Sequence, residues 1–154
     1  MKRIAVFPGS FDPITKGHED IVLRAKDLFD EVVVAVGQNS SKKSMFSLEK
    51  RTQWIEHTFR NHNSIKVKTY EGLTIDYCKE IGAQYLLRGI RNTNDFEYER
   101  SIAQMNHDLN SEIETVLLFT APELSAINST IVRDIVKNNG AVAQFLPDGI
   151  NVYE

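Results

Sequence analysis

The stretch IAVFPGSFDPITKGHEDIVLRAKDLFDEVVVAV, residues 4–36, decides the architecture. Ile4-Ala5-Val6-Phe7 is a short apolar run stopped by Pro8-Gly9. Residues 17–29 place Ile21, Val22, Ala25, Leu28 and Phe29 at helical spacing. Val32–Val36 is a continuous run rich in β-branched residues, ended by Gly37. Strand, helix and strand in that order form a crossover unit, and strands with no polar alternation suit a parallel sheet covered on both faces.

The alternation continues outward from this unit. Residues 47–60 read as a helix capped by Ser47, with Leu48, Ile55 and Phe59 inward. Ile65–Tyr70 alternates like a strand, and Thr74–Ile81 is a short helix closed by Gly82. Tyr85-Leu86-Leu87 is a further buried run leading into Arg88-Gly89. Residues 95–109 form a helical stretch marked by Phe96, Ile102, Met105 and Leu109, and Val116–Phe119 is the last strand. A final helix starts near Ser129 and ends at Asn138-Asn139-Gly140. Five strands between helices predict an α/β, Rossmann-like, doubly wound five-stranded parallel sheet in a single domain over 1–154. Ligands of such sheets bind beyond the carboxyl ends of the strands. That directs attention to residues 8–18, 37–46, 70–74, 88–95 and 120–130.

Composition sets the outer limits. The 154 residues are 42% hydrophobic and 25% charged, and the net charge is −3. That balance excludes a nucleic-acid coat and a polybasic membrane binder. Cys78 stands alone, which excludes a disulfide framework and a cysteine-based zinc cluster and points to a reducing compartment. No apolar run reaches the roughly 18 residues of a membrane span, and the first one stops short of a signal-peptide core. A cytoplasmic protein is expected. Lys42, Lys43, Arg88 and Arg91 all fall on the selected loops, a cationic rim concealed by the net charge.

In the first loop, Gly9 and Gly17 allow close backbone approach, Ser10 offers a hydroxyl and an N–H, and the helix start that follows favours phosphate. The loop is neither the G-x-G-x-x-G fingerprint nor a Walker loop. Thr15 and His18, three apart, face one side of the first helical turn. Read alone, His18 also fits a half-exposed histidine at a helix start. Ser41-Lys42-Lys43 fits a solvated loop or a lysine that meets a phosphate. Arg88-Gly89-Ile90-Arg91 fits a bidentate phosphate clamp, or surface arginines paired with Asp95 or Glu99. Gly72-Leu73-Thr74 fits a helix cap at Thr74 or a set of backbone groups for a ligand's amides. Leu124-Ser125-Ala126-Ile127-Asn128-Ser129-Thr130 offers hydroxyls at a helix N-terminus, although a cap at Ser129 explains part of it. Cys78 reads as core filler and Trp54 as packing. His57, His62 and His107 lack metal-ligand spacing and read as surface residues. No metal cage, carboxylate dyad or activated nucleophile is evident.

Gly9-Ser10-Phe11-Asp12-Pro13 followed by Thr15-x-Gly17-His18 resembles the T/H-x-G-H signature of the nucleotidylyltransferase superfamily. Met45-Phe46-Ser47-Leu48-Glu49-x-Arg51, Arg88–Arg91, Asp95-Phe96-Glu97-Tyr98-Glu99 and Leu124–Thr130 with Arg133 follow in order over nearly the whole chain. The set looks most like the bacterial phosphopantetheine adenylyltransferases. The resemblance implies adenylyl transfer from ATP to 4′-phosphopantetheine, with Mg²⁺ carried on the triphosphate. It implies catalytic roles for Ser10, His18, Lys42 and Arg91. It places Ser10, Lys42, Leu73, Thr74, Arg88 and Asn106 at phosphopantetheine. It places Gly9, Ser10, Phe11, Gly17, His18, Gly89, Ile90, Arg91, Asp95, Glu99 and residues Leu124, Ser125, Ala126, Ile127, Asn128, Ser129 and Thr130 at ATP. It further implies a homohexamer and feedback inhibition by coenzyme A. The sequence departs from the second signature at Asn128, where serine is usual, and at Leu124 and Ala126, where aromatics are common. The other readings are a related nucleotidylyltransferase that uses nicotinamide mononucleotide or CTP, and a nucleotide-binding module without catalysis. The missing dinucleotide fingerprint disfavours a dehydrogenase.

Overall fold

A computed structural model gives the fold and describes residues 1–39 and 41–154; Ser40, inside the loop 37–46, lies outside the described residues. The strands are β1 (Ile4–Gly9), β2 (Glu31–Gln38), β3 (Ile65–Glu71), β4 (Tyr85–Ile90) and β5 (Glu114–Phe119). The helices are α1 (Lys16–Ala25), α2 (Leu48–Thr58), α3 (Thr74–Glu80), α4 (Thr93–Leu109) and α5 (Ser129–Lys137). The sheet order is β3-β2-β1-β4-β5 and every pairing is parallel, as the unbroken apolar strands predict. The order reverses between β1 and β4. Parallel strands diverge there at their carboxyl ends and leave the crevice in which such sheets bind ligands.

Alternate residues of the strands bury on opposite faces. Phe7, Val32, Val34 and Val36 pack with Ile14, Ile21 and Val22 from the α1 side and with Ile55 and Phe59 from the α2 side. Val6, Val33, Ala35 and Leu86 pack with Ile75 and Cys78 of α3 on the other face. A third cluster joins Val132 and Val136 of α5 to Val142, Leu146, Ile150 and Val152 of the C-terminal tail, with Phe46 and Trp54 at its margin. Trp54 therefore bridges two cores, and Cys78 is fully buried. No helix among the described residues is long and apolar enough to cross a membrane.

Four local expectations change. α1 ends at Ala25, and Leu28 is 48% exposed. The chain tightens after α1, where Leu28 N–H donates to Ala25 O, and this rotates Leu28 off the apolar stripe. Thr74 opens α3 and does not cap it: the cap position is Leu73, and the Thr74 hydroxyl pairs with Tyr70 Oη at 2.8 Å. α4 begins at Thr93, where Asn92 Oδ1 accepts Asp95 N–H at 2.9 Å. Its apolar residues Phe96, Met105 and Leu109 are exposed, as is Phe119 at the end of β5. Their spacing marks a helix correctly, yet nothing among the described residues covers that face. His62 is half-buried, whereas His57 and His107 are exposed as expected.

Candidate active site at the carboxyl edge of the sheet

The β1–α1 loop forms the floor. Phe11 takes a positive φ of 48°, and its buried ring meets His18 edge-on at 5.0 Å and Phe7 at 5.6 Å. The Phe11 ring belongs to the core, so only its backbone faces a ligand. Thr15 caps α1 and His18 completes the capping box. Thr15 N–H donates to His18 Nδ1 at 3.0 Å, which makes Nδ1 an acceptor and puts the imidazole proton on Nε2. Desolvation, aided by the positive charges of Arg88 and Arg91, pushes the His18 pKa down to about 4. A neutral imidazole with one N–H donor of fixed identity stands at the helix start.

Each arginine of the β4 loop is already held by a carboxylate. Arg88 reaches Glu99 through Nε at 2.9 Å and Nη2 at 2.7 Å, while its Nη1 donates to Pro8 O at 2.9 Å. Arg91 donates from its N–H and its Nε to Asp95 Oδ2, and its Nη1 reaches Ile127 O at 3.5 Å. Desolvation pulls the Asp95 carboxyl upward, but the hydrogen bonds from Arg91 outweigh it and hold the pKa below its ordinary value. Between the two arginines, Gly89 lies so close to α1 that a Cβ there would come within 3.1 Å of Ile21 Cγ1. The Ile90 side chain is buried, so this residue, like Phe11, offers a ligand only its backbone.

The second signature closes the other side. Asn128 caps α5 through Oδ1, which accepts Ile131 N–H at 2.8 Å, so the cap is not Ser129. Ser129 Oγ instead donates to Pro13 O at 2.9 Å. Arg133 donates to Asp12 O at 2.9 Å and to Thr130 Oγ1 at 3.2 Å. Ser125 Oγ turns back to Pro122 O, and Leu124 is half-buried beside the exposed Ala126.

Two cavities meet at Gly9 and Tyr70. The larger, about 1020 Å³, is lined by Ser10, Lys42, Lys43, Arg51 and Gly72 among others. The smaller, about 260 Å³, is lined by Leu73, Thr74, Arg88, Glu99, Tyr98 and Asn106 among others. The structure thus gathers His18, Arg91, Ile127, Ser129 and the first loop, and separately Leu73, Thr74, Arg88 and Asn106. Glu99 lies with the second group, turned onto Arg88. Among the described residues no three His, Cys, Asp or Glu side chains form a metal-binding group. Asp12 and Arg51 are buried polar residues of the site that no single-residue argument singled out. Their one signal is that both sit inside quoted motifs.

The profile of the cytidylyltransferase-like family matches residues 6–135. Two curated relatives named phosphopantetheine adenylyltransferase come from Flavobacterium psychrophilum and Flavobacterium johnsoniae. They are 51% and 53% identical over 150 residues, covering 97% of this chain and 99% and 98% of theirs. One from Bacteroides thetaiotaomicron is 45% identical over 97% of this chain and 99% of its own. A solved structure, the bifunctional NMN adenylyltransferase/ADP ribose pyrophosphatase of Francisella tularensis, superimposes with a TM-score of 0.76 at 18% identity. It covers 97% of this chain, which spans 46% of that longer protein, and it supports the fold alone.

Proposed function

The chain belongs to the phosphopantetheine adenylyltransferases within the cytidylyltransferase-like family, and from that premise we propose how its residues carry the reaction. The enzyme transfers the adenylyl group of ATP to 4′-phosphopantetheine, giving dephospho-coenzyme A and pyrophosphate, a step of coenzyme A biosynthesis.

The acceptor phosphate is an anion at neutral pH and attacks the α-phosphorus in line, so no base is required. Two polyanions have to be brought together, which makes positioning and charge stabilisation the whole task. Arg88 and Lys42 bind the phosphate of phosphopantetheine, and Leu73, Thr74 and Asn106 line the cavity of its arm. Ser10 and the neutral Nε2–H of His18 donate to the α-phosphate, while Lys42 and Arg91 offset charge as the pyrophosphate leaves. The backbone of residues 9–11 and 89–91, with Gly17 and Asp95 supporting, receives the nucleotide, whereas Glu99 orients Arg88 on the phosphopantetheine side. The start of α5, with Ser129 and Thr130, faces the β- and γ-phosphates, and residues 124–128 flank the adenine. Mg²⁺ enters as part of the substrate MgATP.

The observation that carries this reading is His18, fixed as a neutral Nε2–H donor by Thr15 and flanked by Arg88 and Arg91 at the crevice between β1 and β4. The exposed Phe96, Met105, Leu109 and Phe119 support self-association, for which the expected assembly is a homohexamer. Coenzyme A contains both halves of the product and is the expected feedback inhibitor. The setting is cytoplasmic, consistent with a lone free thiol. Pyrophosphate release tests the reading: ATP with 4′-phosphopantetheine should give rapid release. Faster release with nicotinamide mononucleotide, or with CTP in place of ATP, would overturn the assignment.

A further inference from the structure

Asp12 is 5% exposed, and its two carboxylate oxygens accept Met45 N–H and Phe46 N–H, each at 2.9 Å. Arg51, 6% exposed, donates through Nε to Phe46 O at 3.0 Å and through Nη1 to Ser10 O at 2.7 Å. The Phe46 ring then meets Trp54 edge-on at 5.0 Å. Two buried charges therefore fasten residues 45–46 to the first loop by four hydrogen bonds. Burying a charge is costly unless every polar atom finds a partner, and this pair meets the condition only with the two loops in one relative position.

Lys42 lies three residues before Met45, a tether of at most about 10 Å of extended chain. It is exposed, its N–H donates to Asn39 O, and it lines the same cavity as Ser10. Where its ammonium stands over that cavity follows from where residue 45 is pinned.

We propose that Asp12 and Arg51 are positioning residues for Lys42, locking its loop against the Ser10 loop in the geometry the transfer step needs. The proposal rests on the role given to Lys42 above. Asp12 acts by accepting both N–H groups, and Arg51 by spanning two carbonyls that a lysine cannot bridge together.

The test is a double-mutant cycle on pyrophosphate release by the full-length enzyme, using D12N, R51K and K42A and the doubles D12N/K42A and R51K/K42A. A displacement of about 1 Å costs on the order of 10²-fold, so D12N and R51K should each lower kcat by about 10- to 100-fold. In the K42A background the same substitutions should cost at least about threefold less than in the parent, because Lys42 is gone and only the Ser10 side of the clamp remains to be disturbed. Losses that multiply with K42A, or wild-type turnover in D12N and R51K, overturn the positioning role alone. Wild-type turnover in K42A overturns the Lys42 assignment and this proposal with it. Should D12N not fold, as read by circular dichroism, R51K completes the cycle. A chain that folds with neither variant assigns the clamp to stability and also overturns the proposal.

Discussion

Arg88 and Glu99 form a forked ion pair in which both Nε and Nη2 of the guanidinium face one carboxylate, at 2.9 and 2.7 Å. The Glu99 side chain is 7% exposed and that of Arg88 30%. The cation is thus oriented before any phosphate arrives, in the cavity proposed for the pantetheine arm.

Glu99→Gln keeps the shape and removes the charge, leaving Arg88 half-buried without a counter-ion. The expected loss is about 1–3 kcal/mol, below the range for fully buried pairs because Arg88 retains some water. An incoming phosphate replaces the missing anion. Thermal denaturation should therefore show a lower Tm for the variant alone and a larger upward shift with 4′-phosphopantetheine than in the parent. Equal shifts in both proteins would count against this.

His18→Ala should lower kcat by on the order of 10²–10³ while the fold persists. Stability should also depend on pH through this residue. The folded imidazole titrates near 4, against an ordinary value of 6.5. Between those values the unfolded chain binds a proton that the native protein does not, so stability falls as pH drops through that window. Its contribution is fully present above 6.5 and levels off below 4. Urea midpoints across that range should slope more steeply in the parent than in His18→Gln.

Asn128→Ala removes the side chain that caps α5 and should cost about 1 kcal/mol. Asn128→Ser retains a capping oxygen and should lose less. Urea unfolding of the two variants checks the order, and the reverse order would assign Asn128 a role other than capping.

Gly89→Ala places a Cβ against Ile21, and the overpacking should cost about 1–3 kcal/mol and lower turnover by moving α1 from β4. Ile21→Val removes the second contact atom, at 3.3 Å, so the double variant should recover part of both losses. A double variant as impaired as Gly89→Ala would show that the contact is not the cause.

The sheet and its helices were legible because unbroken runs such as Val32–Val36 leave only a parallel sheet covered on both faces. Ser47 was legible as a cap because it accepts Lys50 N–H, a contact within its own turn. The helix start near Ser129 was legible, but the cap itself falls to Asn128, one residue earlier, which frees the serine to bond Pro13, 116 residues away. Leu28 was misread because periodicity does not register where a helix tightens. The exposed face of α4 carries the pattern of a packed helix, since sequence records that a face is apolar and not whether the fold covers it. Asp12 and Arg51 escaped for a related reason. Their partners are backbone groups, which every residue has, so composition carries no trace of them.

The carbonyls of the first loop have a consequence for synthesis of the chain. Ser10 O is held by Arg51, Pro13 O by Ser129 and Asp12 O by Arg133, the last across 121 residues. A polypeptide emerging from the ribosome exposes this loop early, yet receives two of these three clasps only once α5 has appeared. Until residues 129–133 have been made, Pro13 O and Asp12 O lack these side-chain partners, so the loop nearest the start of the chain gains its full set of clasps only after α5 has been synthesised.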